Sequence, residues 1–247
     1  MTYALETRLL QRRFGGLIAT SDVSFTLPVG GRYALIGPNG AGKTTLINLL
    51  TGVLRPSSGT ILLNGVDITA RRPDHRVAAG LVRTFQINQL FPKLTPLQSV
   101  ALATARRMGL DGALRQRLDA NQAVVQQSME VLERFGLMDV MAQPVATLAY
   151  GRQRLLEIAL AVACGPKVLL LDEPAAGVPE AEREGILTGL AALPRDIAVL
   201  MIEHDMDLVF RFAEHILVLA AGAILTQGSP AQISADPKVR EVYLGHS

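Results

Sequence analysis

The run Gly37-Pro38-Asn39-Gly40-Ala41-Gly42-Lys43-Thr44-Thr45 holds the residue types that bind a polyphosphate. Glycines at 37, 40 and 42 let the backbone bend and bring successive N–H groups against anionic oxygens. Lys43 adds a mobile charge for β- and γ-phosphates, and the Thr44 hydroxyl can enter a Mg²⁺ shell. A second cluster, Asp172-Glu173, follows the apolar run Val168-Leu169-Leu170-Leu171. A carboxylate at the end of a buried parallel strand lies where ligands bind in open α/β sheets, and Asp172 can hold Mg²⁺ through its water shell, facing Thr44. Glu173 points differently and can accept a proton from an attacking water. In isolation, an acidic strand end that merely caps the next helix reads the same way. Behind a phosphate loop, the metal reading takes precedence.

These groups need elements to place them. Tyr33-Ala34-Leu35-Ile36 reads as a buried strand and Leu46-Ile47-Asn48-Leu49-Leu50 as a buried helix face, so the loop sits between strand and helix, as a phosphate cradle requires. The helix adds its positive N-terminal end. Residues 3 to 36 read as β-structure, with alternation over Ser21 to Leu27 and a turn at Pro28 and Gly30-Gly31. Asn64-Gly65 between Thr60–Leu63 and Val66–Ile68 predicts a type I′ hairpin. Leu81 to Gln86 reads as a short strand. From about 90 to 150 the texture is helical: Val125, Met129 and Leu132 recur at i, i+4, i+7, with Gly136 as a C-cap. A further helix opens near Tyr150 and ends at Gly165-Pro166, another covers about 181 to 193, and Ile197 to Ile202 is a buried strand leading to Glu203-His204-Asp205. His215 to Gln227 folds back around Ala221-Gly222, and Ser229-Pro230 and Asp236-Pro237 each start a short helix. The fold class is α/β: a P-loop NTPase core with a mostly parallel sheet, an antiparallel β subdomain and an α-helical subdomain. One domain spans 1–247, with 1–89 as antiparallel β plus the phosphate-loop part, 90–150 as the helical subdomain, and 151–247 as the rest of the core.

Bulk properties narrow the function. Lysine plus arginine total 24 and aspartate plus glutamate 22, so no basic excess points to nucleic acid. The chain is 49% hydrophobic, yet no apolar run reaches the roughly 20 residues that span a bilayer. Met1-Thr2-Tyr3-Ala4-Leu5-Glu6 has no signal-peptide pattern, and one cysteine, Cys164, excludes an intrachain disulfide and reads as core packing. The expected place is the cytoplasm, with any membrane role exerted through a partner. His75, His215 and His246 lack acidic or cysteine partners at ligand spacing and read as ordinary surface or packing residues. Phe14, before Gly15-Gly16, is by itself more readily core than contact.

Taken in order, the motifs resemble those of an ABC-type ATPase subunit over essentially the whole chain: Walker A at 37–45, a Q-loop at Gln86, a signature at 148–153, Walker B at 168–173 and a switch histidine at His204. The resemblance implies ATP and Mg²⁺ as ligands. Lys43 and the loop from Gly37 to Thr45 hold phosphate, Thr44 and Gln86 ligate the metal, and Asp172 supports it. Glu173, His204 and Gln86 act in catalysis, and Phe14 stacks on adenine. In that family two subunits pair head to tail, so Ala149, Tyr150 and Gly151 face the partner's nucleotide. Two departures bear on that shared site. Ala149 stands where the family has serine, and Pro179 where aspartate is usual.

Within the family, Arg83-Thr84-Phe85-Gln86, Leu148-Ala149-Tyr150-Gly151, Glu173-Pro174-Ala175-Ala176-Gly177, Ile202 to Met206 and Tyr243-Leu244-Gly245 look like the ATPases of branched-chain amino acid importers. That subfamily implies a second ATPase subunit, two membrane permeases and a periplasmic or extracellular binding protein, with this chain peripheral on the cytoplasmic face of the plasma membrane. Urea and amide importers and the lipopolysaccharide exporter carry similar ATPases. A DNA-repair or translation ATPase of this type would carry a long coiled-coil insertion or two nucleotide domains, whereas only about sixty residues separate Gln86 from the signature here. A P-loop GTPase or small-molecule kinase would leave the signature and His204 unexplained, and an Asn-Lys-x-Asp guanine reader is absent.

Overall fold

A computed structural model describes residues 3–84, 90–110 and 121–244. The chain opens with β1 (Tyr3–Phe14), β2 (Leu17–Pro28) and β3 (Arg32–Ile36), then α1 (Lys43–Thr51). It continues through β4 (Ser58–Leu63), β5 (Val66–Asp67), α2 (Pro73–Ala78) and β6 (Leu81–Arg83). Four helices and a strand follow: α3 (Pro96–Arg107), α4 (Gln122–Arg134), α5 (Tyr150–Ala163), β7 (Val168–Asp172) and α6 (Glu180–Ala191). The chain ends with β8 (Ala198–Ile202), α7 (Met206–Phe212), β9 (His215–Ala220), β10 (Ala223–Gly228), α8 (Pro230–Ala235) and α9 (Pro237–Leu244). Two compact units result, one of residues 1–83, 167–173 and 195–247, the other of 84–166 and 174–194.

The first unit holds both sheets. An antiparallel sheet runs β2-β1-β4-β5, and a mostly parallel one runs β10-β9-β3-β8-β7-β6. Four pairings of the second sheet are parallel (β6 with β7, β7 with β8, β8 with β3, β3 with β9), and only the closing β9–β10 hairpin is antiparallel. The parallel strands are buried almost throughout, which is why they read as unbroken apolar runs rather than alternating ones. One core joins the two sheets to α1: Leu5, Phe25 and Ile61 from the antiparallel sheet, Leu46, Ile47 and Leu50 from α1, and Leu35, Leu170 and Leu200 from the parallel sheet. Asn64 and Gly65 take φ of 49° and 78°, the left-handed pair that a two-residue I′ hairpin demands, and Ala221 and Gly222 repeat it at 47° and 81°.

Sequence periodicity did not reveal what holds the far end of α1. Arg76 is 1% exposed and donates to the carbonyls of Leu49 (2.7 Å), Leu50 (2.6 Å), Thr69 (2.8 Å) and Arg71 (3.0 Å). The last carbonyls of a helix lack intrahelical partners, and a cation there also complements the helix dipole. Burial pulls the Arg76 pKa down to about 10, which still leaves the guanidinium charged at neutral pH.

In the second unit α3 packs on α4 and α5, and α5 on α6. Here one expectation needs correction. The buried line of α4 is Val124, Ser128 and Leu132, not Val125, Met129 and Leu132. Leu132 belongs to both lines, and the apolar spacing misses the other two positions because one of them is a serine. Ser128 instead returns its hydroxyl to the Val124 carbonyl (2.6 Å), lies 3.4 Å from the Thr104 hydroxyl, and so is buried without an orphaned group. Cys164 closes α5, half-buried, and burial raises its thiol pKa.

Candidate nucleotide site

The carboxyl ends of β3, β7 and β8 lie side by side, since Leu35 and Asp172 are both in register with Ile202. The residues directly after these strands, Gly37, Glu173 and Glu203, therefore start from one edge of the sheet. After β3 the chain turns at Gly37, where a Cβ would stand 2.2 Å from the Leu219 carbonyl oxygen. At Gly42, φ is 100° and a Cβ would meet the Ala19 carbonyl oxygen at 2.6 Å, so both steric limits exclude a side chain. Pro38 is half-buried, Asn39 and Gly40 are exposed, and Ala41 is buried. Gly42 is also the N-cap of α1, so no capping side chain closes the start of that helix, and its first turn carries no acidic residue. Its N–H groups are left for a ligand.

Lys43 is half-buried and donates to the carbonyls of Gly37 (2.6 Å) and Pro38 (3.1 Å). Burial lowers its pKa, while the charges of Glu173 and Asp172 act in the opposite direction. Thr44 is exposed and Thr45 half-buried beside it.

Asp172 ends β7 and accepts from Arg83 Nη2 at 2.6 Å, a pair in which both side chains are nearly buried. Glu173 has φ of 47°, an uncommon conformation for a residue with a side chain, and its N–H donates to the Ile202 carbonyl at 2.9 Å. Its Oε1 lies 3.8 Å from His204 Nδ1, too long for a hydrogen bond. Behind His204, the buried Glu203 accepts from the backbone N–H groups of His204 (2.9 Å) and Asp205 (3.4 Å). Asp205 in turn caps α7 through the N–H groups of Asp207 and Leu208. The histidine therefore stands on a bend fixed by two carboxylates that motif reading passed over. Sequence offered a signal for Glu203 only in retrospect, as an acid directly after six apolar residues.

Phe14 closes the β1–β2 hairpin opposite Leu17, and at 43% exposure it is not core. The Arg12 guanidinium lies 4.5 Å from its ring centroid. His75 is exposed beside Asp74, and His215 stacks on Tyr33 with ring centroids 4.7 Å apart. Gln86 and His246 lie outside the described residues.

Ala149, Tyr150 and Gly151 form the start of α5 in the second unit, with Ala149 as N-cap. The Gly151 N–H donates to Glu182 Oε2 at 2.8 Å, and a Cβ at 151 would come 2.3 Å from that oxygen. The Tyr150 hydroxyl reaches the Ala176 carbonyl at 3.4 Å, and the ring packs against Gly177. An anion already sits on this helix start, supplied by α6 of the same chain. Sequence reasoning missed Glu182, which is 31 positions away.

A family model described as the ABC transporter matches residues 20–176. The chain is an ATP-binding cassette of the ABC transporter family. The cassette is 39% identical to the high-affinity branched-chain amino acid transport ATP-binding protein BraF of Pseudomonas aeruginosa, over 98% of each chain. It is 38% identical to the corresponding protein LivG of Escherichia coli, over 96% of each. A crystal structure of the ADP conformation of an ATP-binding cassette of an ABC transporter superposes with a TM-score of 0.85 at 30% identity, covering 99% of the cassette and 100% of that chain. A second family model, described as a branched-chain amino acid ATP-binding cassette transporter, matches residues 223–247. The cassette is thus an ATP-binding ATPase of a transport complex, with the P-loop fold expected from its motifs. Among the described residues no helix is long and apolar enough to cross a membrane.

Proposed function

We propose that the cassette drives import of branched-chain amino acids, as one of two ATP-hydrolysing subunits that close around MgATP and reopen after hydrolysis. The observation that carries this reading is the near full-length likeness to BraF, in company with the matched tail at 223–247. Two permeases, a second ATPase subunit and an extracytoplasmic binding protein complete the assembly, and the cassette lies peripherally on the cytoplasmic face.

In the proposed chemistry the amides from Gly37 to Thr45 and Lys43 hold the phosphates. For the ligand to enter, Lys43 exchanges the Gly37 and Pro38 carbonyls for phosphate oxygens. The donor set suits Mg²⁺: the Thr44 hydroxyl, the Gln86 side-chain carbonyl and the Asp172 carboxylate would all offer hard oxygens. These residues would hold the metal, which would supply positive charge against the β- and γ-phosphates. Glu173 takes the proton of the attacking water on its carboxylate, and His204 contacts the γ-phosphate from the neighbouring strand end. Ala149, Tyr150 and Gly151 address the nucleotide held by the partner subunit.

The test is reconstitution of the cassette with the permeases and second ATPase that co-purify from membranes. Binding protein loaded with leucine, isoleucine or valine is expected to stimulate ATP hydrolysis. Stimulation by urea or a short amide, with none by the branched-chain amino acids, would overturn the cargo assignment.

The adenine contact makes a separate prediction. An exposed ring at a hairpin tip can stack on a purine without reading its hydrogen-bond edge, so GTP is expected to bind with modest loss. Phe14→Ala is expected to weaken ATP by about 1–3 kcal/mol, the scale of base–aromatic stacking. Titration showing unchanged ATP affinity would leave Phe14 as no more than a partner for Arg12.

A further inference from the structure

Arg83 ends the edge strand β6 and is in parallel register with Leu170 of β7. Asp172 is two residues further along β7, on the same face as Leu170, so it is the diagonal neighbour that a long side chain on β6 can reach. The guanidinium makes that contact at 2.6 Å and uses its other terminal nitrogen, Nη1, on the Asn48 amide oxygen of α1 at 3.0 Å. One planar group thereby ties the carboxylate at the end of β7 to the helix that starts at the phosphate loop. Lysine, a point charge on a flexible stem, cannot hold two fixed acceptors in this way. The pair is nearly buried, at 14% and 13% exposure, where a lone carboxylate would be costly.

We propose that Arg83 is a positioning residue that holds Asp172 and offsets its charge until the metal arrives with the nucleotide. The proposal rests on the reading of Asp172 as the metal-supporting carboxylate. ATP carries several negative charges into an edge that already presents Asp172 and Glu173. Without Arg83, more of the Asp172 charge acts on an incoming metal-free nucleotide, since the Lys43 ammonium that also feels it is itself needed by the phosphates, whereas bound Mg²⁺ would supply the missing positive charge. The signature of this role is therefore a change in metal dependence, which simple loss of packing does not produce.

The experiment measures ATP affinity of the whole chain in EDTA and in excess Mg²⁺ by titration calorimetry, with melting curves as a fold check. Arg83→Met is expected to weaken metal-free ATP about tenfold, the scale of one unit charge across a partly buried site, while MgATP affinity stays close to wild type. Arg83→Gln, which keeps a polar contact for Asn48 but no charge, carries the same expectation if the methionine variant fails to fold. Arg83→Met/Asp172→Asn removes both charges and is expected to restore metal-free binding. Equal losses with and without Mg²⁺, no loss in either, or a double variant as weak as Arg83→Met would each overturn the proposal. Asp172→Asn alone separates the two readings, because it is expected to weaken MgATP and not metal-free ATP. An unaltered metal dependence in that variant would bring down the metal role of Asp172, and the Arg83 proposal with it.

Discussion

Glu173→Gln is expected to bind ATP almost as the native cassette does and to lose about 10²- to 10⁴-fold in turnover, the range for removing a general base. The amide keeps the size and polarity of the carboxylate and gives up only the ability to take a proton. Binding is expected to survive because the proposed phosphate contacts come from α1 and its loop, not from residue 173. The backbone makes the variant a clean one. Glu173 sits at φ 47°, held by its N–H bond to the Ile202 carbonyl, and glutamine inherits that conformation at the same cost. An unfavourable backbone geometry directly after the strand that ends in Asp172 is the kind of feature that persists where a side chain must be aimed. Steady-state hydrolysis measured alongside equilibrium ATP binding decides the matter. Near-normal turnover in Glu173→Gln would remove Glu173 from the chemistry, and a parallel loss of ATP affinity would show that it holds nucleotide instead.

The elements that position this edge were legible because each carries a local signal strong enough to survive without tertiary context. Four consecutive apolar residues before Asp172 and six before Glu203 mark strands buried on both faces. Asn64-Gly65 fixes a hairpin by φ alone, and Ser229 with Gln232 builds a capping box on the proline-started helix α8. Illegible features were of two kinds. Some were polar groups whose partner is backbone, such as Arg76 on the last carbonyls of α1 or Ser128 on Val124, where side-chain type points to solvent and only the fold supplies the acceptors. Others were pairs set by sheet register or helix packing. Arg83 and Asp172 are separated by 89 positions, and nothing in either segment names the other until β6 is laid beside β7. Gln86 had a motif to announce it, yet it falls outside the described residues, so its place at the metal is carried by resemblance alone.

Gly151→Ala is expected to lower turnover of the assembled transporter by about 10²-fold or more, the usual cost of spoiling a preorganised anion contact, while the isolated cassette binds ATP unchanged. Two demands fall on this glycine, and they can be separated. Inside the chain, a Cβ would stand 2.3 Å from Glu182 Oε2 and 3.1 Å from Glu182 Cβ, so the α6 side chain must swing away. Across the proposed head-to-tail pairing, the N–H groups at the start of α5 must approach the partner's phosphate, which also tolerates no bulk. Alanine costs nothing in helix propensity relative to glycine, so a large loss of fold stability is not part of the expectation. Glu182→Ala alone removes the carboxylate that occupies the Gly151 N–H and frees that donor for phosphate, and turnover is expected to hold or rise. In Gly151→Ala/Glu182→Ala the crowding inside the chain is gone, yet the bulk facing the partner remains, so the double variant is expected to stay as slow as Gly151→Ala. Full recovery in the double variant would mean that Gly151 exists to seat Glu182, and the head-to-tail role of the signature would have to be given up for this residue.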